Sequence, residues 1–176
     1  FINCLMILLS NQVSAQWTLK SSGTSIDLVD VHFPSDSIGY IVGDYGLVLK
    51  SIDQGETWQT VHVDSAFSFN SVFFTSNDTG YIAVGSLYKA IDGGTNWTEI
   101  LTDSLSQIFE VYFVNSALGF ASGTYLYKTS DSGMTWDSMN LNSVFSSIHF
   151  PSDSVGYFVG GPDTTDQLYK TDDGGQ

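Results

Sequence analysis

Apolar and polar positions repeat along the chain with a period close to forty residues. Trp17, Trp58, Trp97 and Trp136 lie 41, 39 and 39 residues apart. In the same phase, a Val/Ile-x-Phe segment is followed four times by a glycine and an aromatic residue, at Gly39-Tyr40, Gly80-Tyr81, Gly119-Phe120 and Gly156-Tyr157. A third series places a lysine after a Leu or Tyr, just before an Asp-Gly turn, at Lys50, Lys89, Lys128 and Lys170.

Each unit predicts four short β-strands separated by turns. Clusters such as Pro34-Ser35-Asp36-Ser37 are typical of turns, and no segment of ten or more residues beyond the first fifteen has helical periodicity. Repeats of this length with four strands each are typical of propeller blades. We therefore predict an all-β chain that forms a β-propeller of four-stranded blades. The predicted units span residues 26–63, 67–101, 107–141 and 144–176, and the last one is truncated.

The number of units predicts an open arc of about four blades. Most closed rings of this kind have roughly six to eight blades, although rings of four exist. We therefore expect residues 16–176 to be a propeller fragment whose remaining blades belong to the same polypeptide. Trp17 has no unit of its own, so we expect it to supply the fourth strand of the missing last blade.

The turn before each tryptophan is the most specific motif, with the pattern Ser/Thr-x-Asp-x-Gly-x-Thr-Trp. Such a hairpin needs a glycine at positive φ and a short carboxylate or hydroxyl that accepts the unpaired backbone N–H groups. The second copy departs from the pattern at Ala90 and Asn96. We predict a purely structural role for these residues: Ser51, Asp53, Gly55, Thr57 and Trp58; Asp92, Gly94 and Trp97; Thr129, Asp131, Gly133, Thr135 and Trp136; Asp173 and Gly175.

The first fifteen residues predict a secretory signal peptide. Residues 1–9 are almost entirely apolar, and Val13 and Ala15 supply small residues before an expected cleavage site at Gln16. We expect the given sequence to begin inside this signal, because neither a Met nor a basic segment precedes Phe1. Cys4 is the single cysteine, so the mature chain is expected to have no disulfide or thiol nucleophile. The predicted location is secreted, extracellular or cell envelope, without membrane insertion of the mature chain.

Charge composition limits the classes of partner. The chain has 19 acidic and 5 basic residues, all of the latter lysine, and a formal net charge of −14. Such a chain lacks the cationic surface that nucleic acids and anionic membranes require, so we expect no nucleic-acid partner. The three histidines are scattered, and we predict no cofactor and no metal site. The expected ligand is a protein or a glycan.

These motifs resemble the Asp-box (BNR-like) β-propeller repeats, close to the photosystem II stability and assembly factor-like repeats of secreted bacterial proteins. The resemblance covers residues 17–176, from the Phe and Gly-aromatic series to the Asp boxes. It implies the propeller fold, and it implies several functions, because sialidases, xyloglucan-cleaving enzymes and assembly factors share these boxes. The three-arginine clamp of sialidases and the arginine-rich partner face of the assembly factors have no counterpart in a chain without arginine.

Four carboxylates are candidate ligand residues. Asp30 and Glu110 occupy the same repeat position, three residues before the strand's Phe, on the strand expected to line the central channel. They are candidates for a glycosidase pair, or simply polar residues at strand starts. Asp163 and Asp166 lie in segment 160–167, which lengthens the fourth unit. We interpret His32 and His149 as packing residues, and the lysine series as structural.

The prediction for function is a non-catalytic, secreted or cell-envelope binding or scaffold module, part of a longer protein. A glycoside hydrolase of the xyloglucanase or sialidase kind is one alternative. An assembly factor for photosystem II is the other.

Overall fold

The computed structural model describes residues 17–63, 66–102, 107–139, 141, 144–161 and 167–176. The predicted signal peptide at 1–15, together with Asp163 and Asp166, lies outside the described residues. Within the described part of the chain, no helix is both long and apolar enough to cross a membrane.

The described residues form fifteen strands in four antiparallel sheets, which we call blades 1 to 4 in chain order. Blade 1 contains β1 (Leu28–His32), β2 (Gly39–Gly43), β3 (Val48–Ser51) and β4 (Gln59–His62). Blade 2 contains β5 (Ser71–Phe74), β6 (Gly80–Val84), β7 (Ser86–Ala90) and β8 (Thr98–Leu101). Blade 3 contains β9 (Ile108–Phe113), β10 (Gly119–Gly123), β11 (Leu126–Thr129) and β12 (Asp137–Ser138). Blade 4 contains β13 (Val144–His149), β14 (Gly156–Gly161) and β15 (Gln167–Thr171).

The prediction of an all-β propeller is confirmed. In each blade, every strand pairs with the next one along the chain. The one helical element among the described residues is a single 3₁₀ turn, Asp44–Gly46, between β2 and β3.

The glycine of each Gly-aromatic pair is required by an aromatic ring that lies against it. In blade 2, the ring of Phe74 at the end of β5 covers Gly80 at the start of β6, so that a Cβ atom would overlap the ring. The same relation joins Phe33 to Gly39, Phe113 to Gly119 and Phe150 to Gly156. The constant spacing in the sequence between the Phe and the following glycine is therefore set by packing inside each blade.

The aromatic residue of the same pair packs the next blade. The rings of Tyr40 and Phe74 stack with centroids 3.5 Å apart, and those of Tyr81 and Phe113 with centroids 4.1 Å apart. Phe120 and Phe150 repeat the contact at 4.8 Å. Three apolar clusters follow, one between each pair of neighbouring blades, so the core is a series of inter-blade layers.

The arc is open, as predicted. The first strands β1, β5, β9 and β13 contact one another in that order, and in the described chain no strand pairing joins blade 4 to blade 1. Residues 17–27 contain no strand, and Trp17 is fully exposed.

Candidate functional site

The first strands of the four blades line a cleft of about 240 Å³. Its walls combine apolar residues with two carboxylates and small polar groups: Val29, Asp30, Asn70, Ser71, Phe109, Glu110 and Ser146. The structure thus brings the two predicted ligand candidates, Asp30 and Glu110, to one cleft although 80 residues separate them in the sequence.

One repeat position in the first strands connects neighbouring blades. The side chain of Asp30 accepts a hydrogen bond from the backbone N–H of Val72 at 2.8 Å, and that of Glu110 accepts one from Ile148 at 2.8 Å. Ser71 stands at the same position in blade 2, and its hydroxyl oxygen accepts the N–H of Val111 at 3.4 Å. Each of these residues satisfies a backbone donor on the first strand of the next blade.

The two carboxylates differ in their electrostatic environment. Burial raises the pKa of Glu110 to about 7, although hydrogen bonds from Ile148 and Ser147 oppose the shift and the charge of Asp30 adds to it. A carboxyl group with this pKa can both donate and accept a proton at neutral pH. The cleft therefore has the chemistry for proton transfer, but one oxygen of Glu110 is already engaged by the neighbouring blade.

His32 adds a second connection between blades 1 and 2. Its Nδ1 accepts the backbone N–H of Phe74 at 3.1 Å, and its ring packs on Phe73 with centroids 4.3 Å apart. Because Nδ1 is an acceptor, the ring is neutral with its proton on Nε2; burial accordingly lowers the pKa of His32. In the described chain no three His, Cys, Asp or Glu side chains are grouped to hold a metal ion.

The Asp boxes form closed networks of hydrogen bonds. In the first box, Asp53 accepts the hydroxyl of Thr57 at 2.6 Å and the backbone N–H of Thr57 at 2.9 Å, and Ser51 donates to it at 2.8 Å. These donors lower the pKa of Asp53 to about 2, the Thr57 side chain most of all. The third box repeats the arrangement around Asp131, whose pKa is also about 2.

The second box lacks one hydroxyl. In the other boxes the Oγ atom of Ser51, Thr129 or Thr171 accepts the N–H of the box glycine at 2.9 Å. Ala90 cannot accept this bond at Gly94. Asn96 does replace the threonine later in the box, since its amide donates to Asp92 at 2.8 Å.

Two lysines of the series reach from their own blade to the Asp box of the next. Lys89 donates to the carbonyl of Ser132 at 2.7 Å, and Lys128 donates to that of Gly175 at 2.8 Å. Lys50 and Lys89 also lie over the rings of Tyr40 and Tyr81, 5.2 and 5.4 Å from the centroids. Lys170, in the last blade, forms an ion pair with Asp172 of its own blade.

Sequence reasoning missed two features. Ser71 belongs to the inter-blade series, and its position three residues before Phe74 could have revealed it. An aromatic pocket near His62 was also missed, because Tyr88 and Trp97 follow the repeat while His62 comes from the neighbouring blade and departs from it.

Comparison with known proteins places this geometry in a family. A sequence model described as "Photosynthesis system II assembly factor YCF48" matches residues 9–139. The photosystem II assembly lipoprotein Ycf48 of Synechococcus sp. (strain RCC307) is 31% identical over 61 residues, which are 35% of this chain and 18% of that relative.

Solved structures share the fold. The structure of YCF48 bound to D1 peptide has a TM-score of 0.66 at 19% identity, over 85% of this chain and 55% of that one. The Niastella koreensis GH74 enzyme also has a TM-score of 0.66, at 20% identity, over 81% of this chain and 28% of the enzyme. The chain therefore spans little more than half of a YCF48 propeller, and at these identities the likeness concerns the fold alone.

Proposed function

Because the chain belongs to the family described as photosynthesis system II assembly factor YCF48, we propose that it is a non-catalytic β-propeller module that binds a protein partner. The observation that carries the proposal is the use of both candidate acid residues as structural acceptors. Asp30 and Glu110 each hold a backbone N–H of the next blade. The inner strands therefore act as a rigid frame, and partner recognition is left to the cleft walls and loops.

The chemistry of the partner follows from charge. With a net charge of −14 and no arginine, the chain attracts a cationic segment and repels an anionic one. A relative has been solved with a D1 peptide, which supports a polypeptide as partner. We propose a basic polypeptide segment, bound outside the cytoplasm by a chain that the signal-like residues 1–15 direct to the cell envelope or beyond.

A role in photosystem II assembly is a second candidate, which the family match supports. The arginine-rich face implied by the resemblance is absent from this sequence, so we expect the D1 peptide to bind weakly at physiological salt. Calorimetric titration with that peptide tests this candidate. Micromolar or tighter binding would favour the assembly role over a different partner.

Glycoside hydrolysis is the competing enzymatic function, favoured by Glu110, whose pKa near 7 suits a general acid. The test is turnover of fluorogenic β-glucosides and xyloglucan by the wild type, Asp30→Asn, Glu110→Gln and Asp36→Asn. Asp36 is an exposed residue in the β1–β2 turn and serves as the charge-matched control. We expect no turnover from any of them. Turnover that survives in Asp36→Asn and disappears in either cleft variant would overturn the non-catalytic proposal.

A further inference from the structure

An aromatic pocket lies between blades 1 and 2 and shares no residue with the cleft of the first strands. It has a volume of about 80 Å³ and six lining residues: His62, Phe67, Phe69, Ile82, Tyr88 and Trp97. Four of the six are Phe, Tyr or Trp, and their rings come from the start of blade 2, from β7 and from the end of the second Asp box.

The walls of the pocket are fixed by packing and hydrogen bonds. The rings of Phe67 and Tyr88 have centroids 6.1 Å apart and meet at 51°, so they form two sides of a wedge. The indole N–H of Trp97 donates to the carbonyl of Gly94 at 2.9 Å, which fixes the orientation of its ring. Phe69 and Ile82 are buried in the inter-blade core beside it.

His62 marks a departure from the repeat. Its Nδ1–H donates to the carbonyl of Thr95 at 3.1 Å, since a carbonyl can only accept. The equivalent position in blade 2, four residues after the box tryptophan, is Leu101, which packs against the core between blades 2 and 3. At this repeat position blade 1 has His62, which lines the pocket, whereas blade 2 has Leu101, which packs into the core.

A negative charge on the same sheet face as Tyr88 favours a cation in the pocket. Tyr88 pairs with Glu99 across β7 and β8, and paired residues project from the same face of a sheet. Hydrogen bonds from Ser86 and Thr102 lower the pKa of Glu99, so its carboxylate is ionised at neutral pH. The positive charge of Lys50 on blade 1 is held over the ring of Tyr40, which does not line the pocket.

We propose that this pocket binds a methylated ammonium group. Aromatic faces attract cations, and several of them around one cavity recognise quaternary ammonium groups. The predominantly apolar walls suit the methyl groups, while Glu99 supplies the opposite charge. The proposal adds to the partner-binding function and rests on it only where the group is a methylated lysine of a protein. A small molecule such as choline offers the same chemistry.

The first experiment titrates the full chain with choline and with its uncharged carbon isostere, 3,3-dimethylbutan-1-ol. Binding is followed by the indole ¹⁵N–H resonances of the four tryptophans. We expect choline to shift the Trp97 signal selectively and to bind at least tenfold more tightly than the alcohol. Equal affinities, or a stronger response to cellobiose, would show an apolar or sugar-binding pocket and overturn the proposal.

Two variants test the location of the site, and each introduces a residue that another blade of this chain has at the same repeat position. Tyr88→Leu removes one wall and introduces the residue that blade 1 has at the same position, Leu49; Tyr127→Leu makes the same exchange in blade 3, away from the pocket. His62→Leu introduces the residue found in blade 2. We expect at least a threefold loss of choline affinity in Tyr88→Leu, no detectable binding in His62→Leu and unchanged affinity in Tyr127→Leu, all at wild-type melting temperature within a few degrees. Unchanged binding in both pocket variants would overturn the assignment.

A final experiment distinguishes a methylated lysine of a protein from a small molecule such as choline as the source of the ammonium group. Basic peptides with trimethyl-lysine or unmodified lysine are compared with choline on the wild type and His62→Leu. Tighter binding of the trimethylated peptide than of choline, lost in His62→Leu, supports a protein partner. Equal binding of both peptides to both proteins would overturn the pocket proposal while leaving the proposed protein-binding function intact.

Discussion

At the scale of single residues, equivalent repeat positions hold different side chains that serve the same bond. Asp30, Ser71 and Glu110 each accept one backbone N–H from the next blade. A neutral hydroxyl suffices for the bond in blade 2, so a charged carboxylate in blade 3 is not needed for it. The buried carboxylate of Glu110 should therefore affect stability through its ionisation.

Glu110→Gln should change how stability depends on pH. The pKa of Glu110 is about 7 in the folded chain, above its ordinary value of 4.5, so the folded state binds a proton more tightly than the unfolded state. The stabilisation from protonation is fully present below pH 4.5 and is lost as the pH rises through 7. Glutamine keeps an acceptor for Ile148, so the melting temperature of the variant relative to wild type should rise from pH 5 to pH 8.

Thermal melts at both pH values test this effect, with Asp36→Asn as the charge control. The Asp-box carboxylates of Asp53 and Asp131, with pKa values of about 2, titrate below this window. If the difference in melting temperature between Glu110→Gln and wild type were the same at pH 5 and pH 8, Glu110 would not be the group that titrates in this range.

Ala90→Thr should stabilise the chain. The first, third and fourth boxes have a hydroxyl at this position that accepts the N–H of the box glycine, and the second box does not. Restoring one such bond is expected to add about 0.5–1.5 kcal/mol to the free energy of unfolding. Ala90→Val has nearly the same shape without the oxygen, and it is the matched control in urea denaturation. A gain in Val equal to that in Thr would attribute the effect to packing.

At the scale of elements, each blade is completed by its successor. In blades 1 to 3 the aromatic residue after the glycine is covered by the next blade's Phe, and the lysines of blades 2 and 3 donate to the next Asp box. Packing and hydrogen bonding thus follow the same direction along the chain. No described blade follows blade 4. Its Tyr157 and Lys170 therefore lack the contacts with a next blade that their counterparts have.

Replacing equivalent lysines should therefore give unequal results. Lys89→Met removes the bond to Ser132 and the contact with the Tyr81 ring, and it should cost about 1–2 kcal/mol in unfolding free energy. Lys170→Met removes an exposed ion pair with Asp172 that solvent screens, so it should cost much less than Lys89→Met. Urea denaturation of the two variants measures the contrast. Equal losses would show that the inter-blade bond does not stabilise the arc.

At the scale of the whole molecule, the described arc exposes apolar residues on the sheets at both of its ends. Tyr157 is partly exposed, whereas its counterparts Tyr40, Tyr81 and Phe120 are fully buried by the next blade. Val159 and Leu168 in blade 4 are 41% and 67% exposed, and Val29 and Val31 in blade 1 are also exposed. Exposed apolar sheet faces of this kind associate with similar faces on other molecules.

The chain of 176 residues is expected to self-associate in a concentration-dependent way. Contact between the free face of blade 4 and that of blade 1 is head-to-tail, so it can extend beyond dimers. Light scattering coupled to size exclusion should show a shift toward monomer in the double variant Val159→Lys, Leu168→Lys. Ile91→Lys, at an exposed apolar residue in a central blade, is the control. A wild type that stays monomeric at high concentration would contradict this expectation.

The sequence by itself determined the repeat and therefore the blade. The tryptophan period, the glycines of the Gly-aromatic pairs and the Asp boxes are local patterns, set by contacts within one hairpin or between consecutive strands, such as Phe74 over Gly80. An open all-β arc follows from counting the units. The placement of Asp30 and Glu110 on the channel strand also followed from their shared position.

Only the tertiary structure decided what those residues contact. The N–H groups that Asp30 and Glu110 accept lie about forty residues away on another blade, and the burial that raises the pKa of Glu110 depends on how blades pack. The pocket of His62, Phe67, Tyr88 and Trp97 is likewise formed by residues of two blades, and the repeat pattern does not show that they meet. Because burial and inter-blade geometry arise from packing between repeats, a pattern read within one repeat cannot specify them.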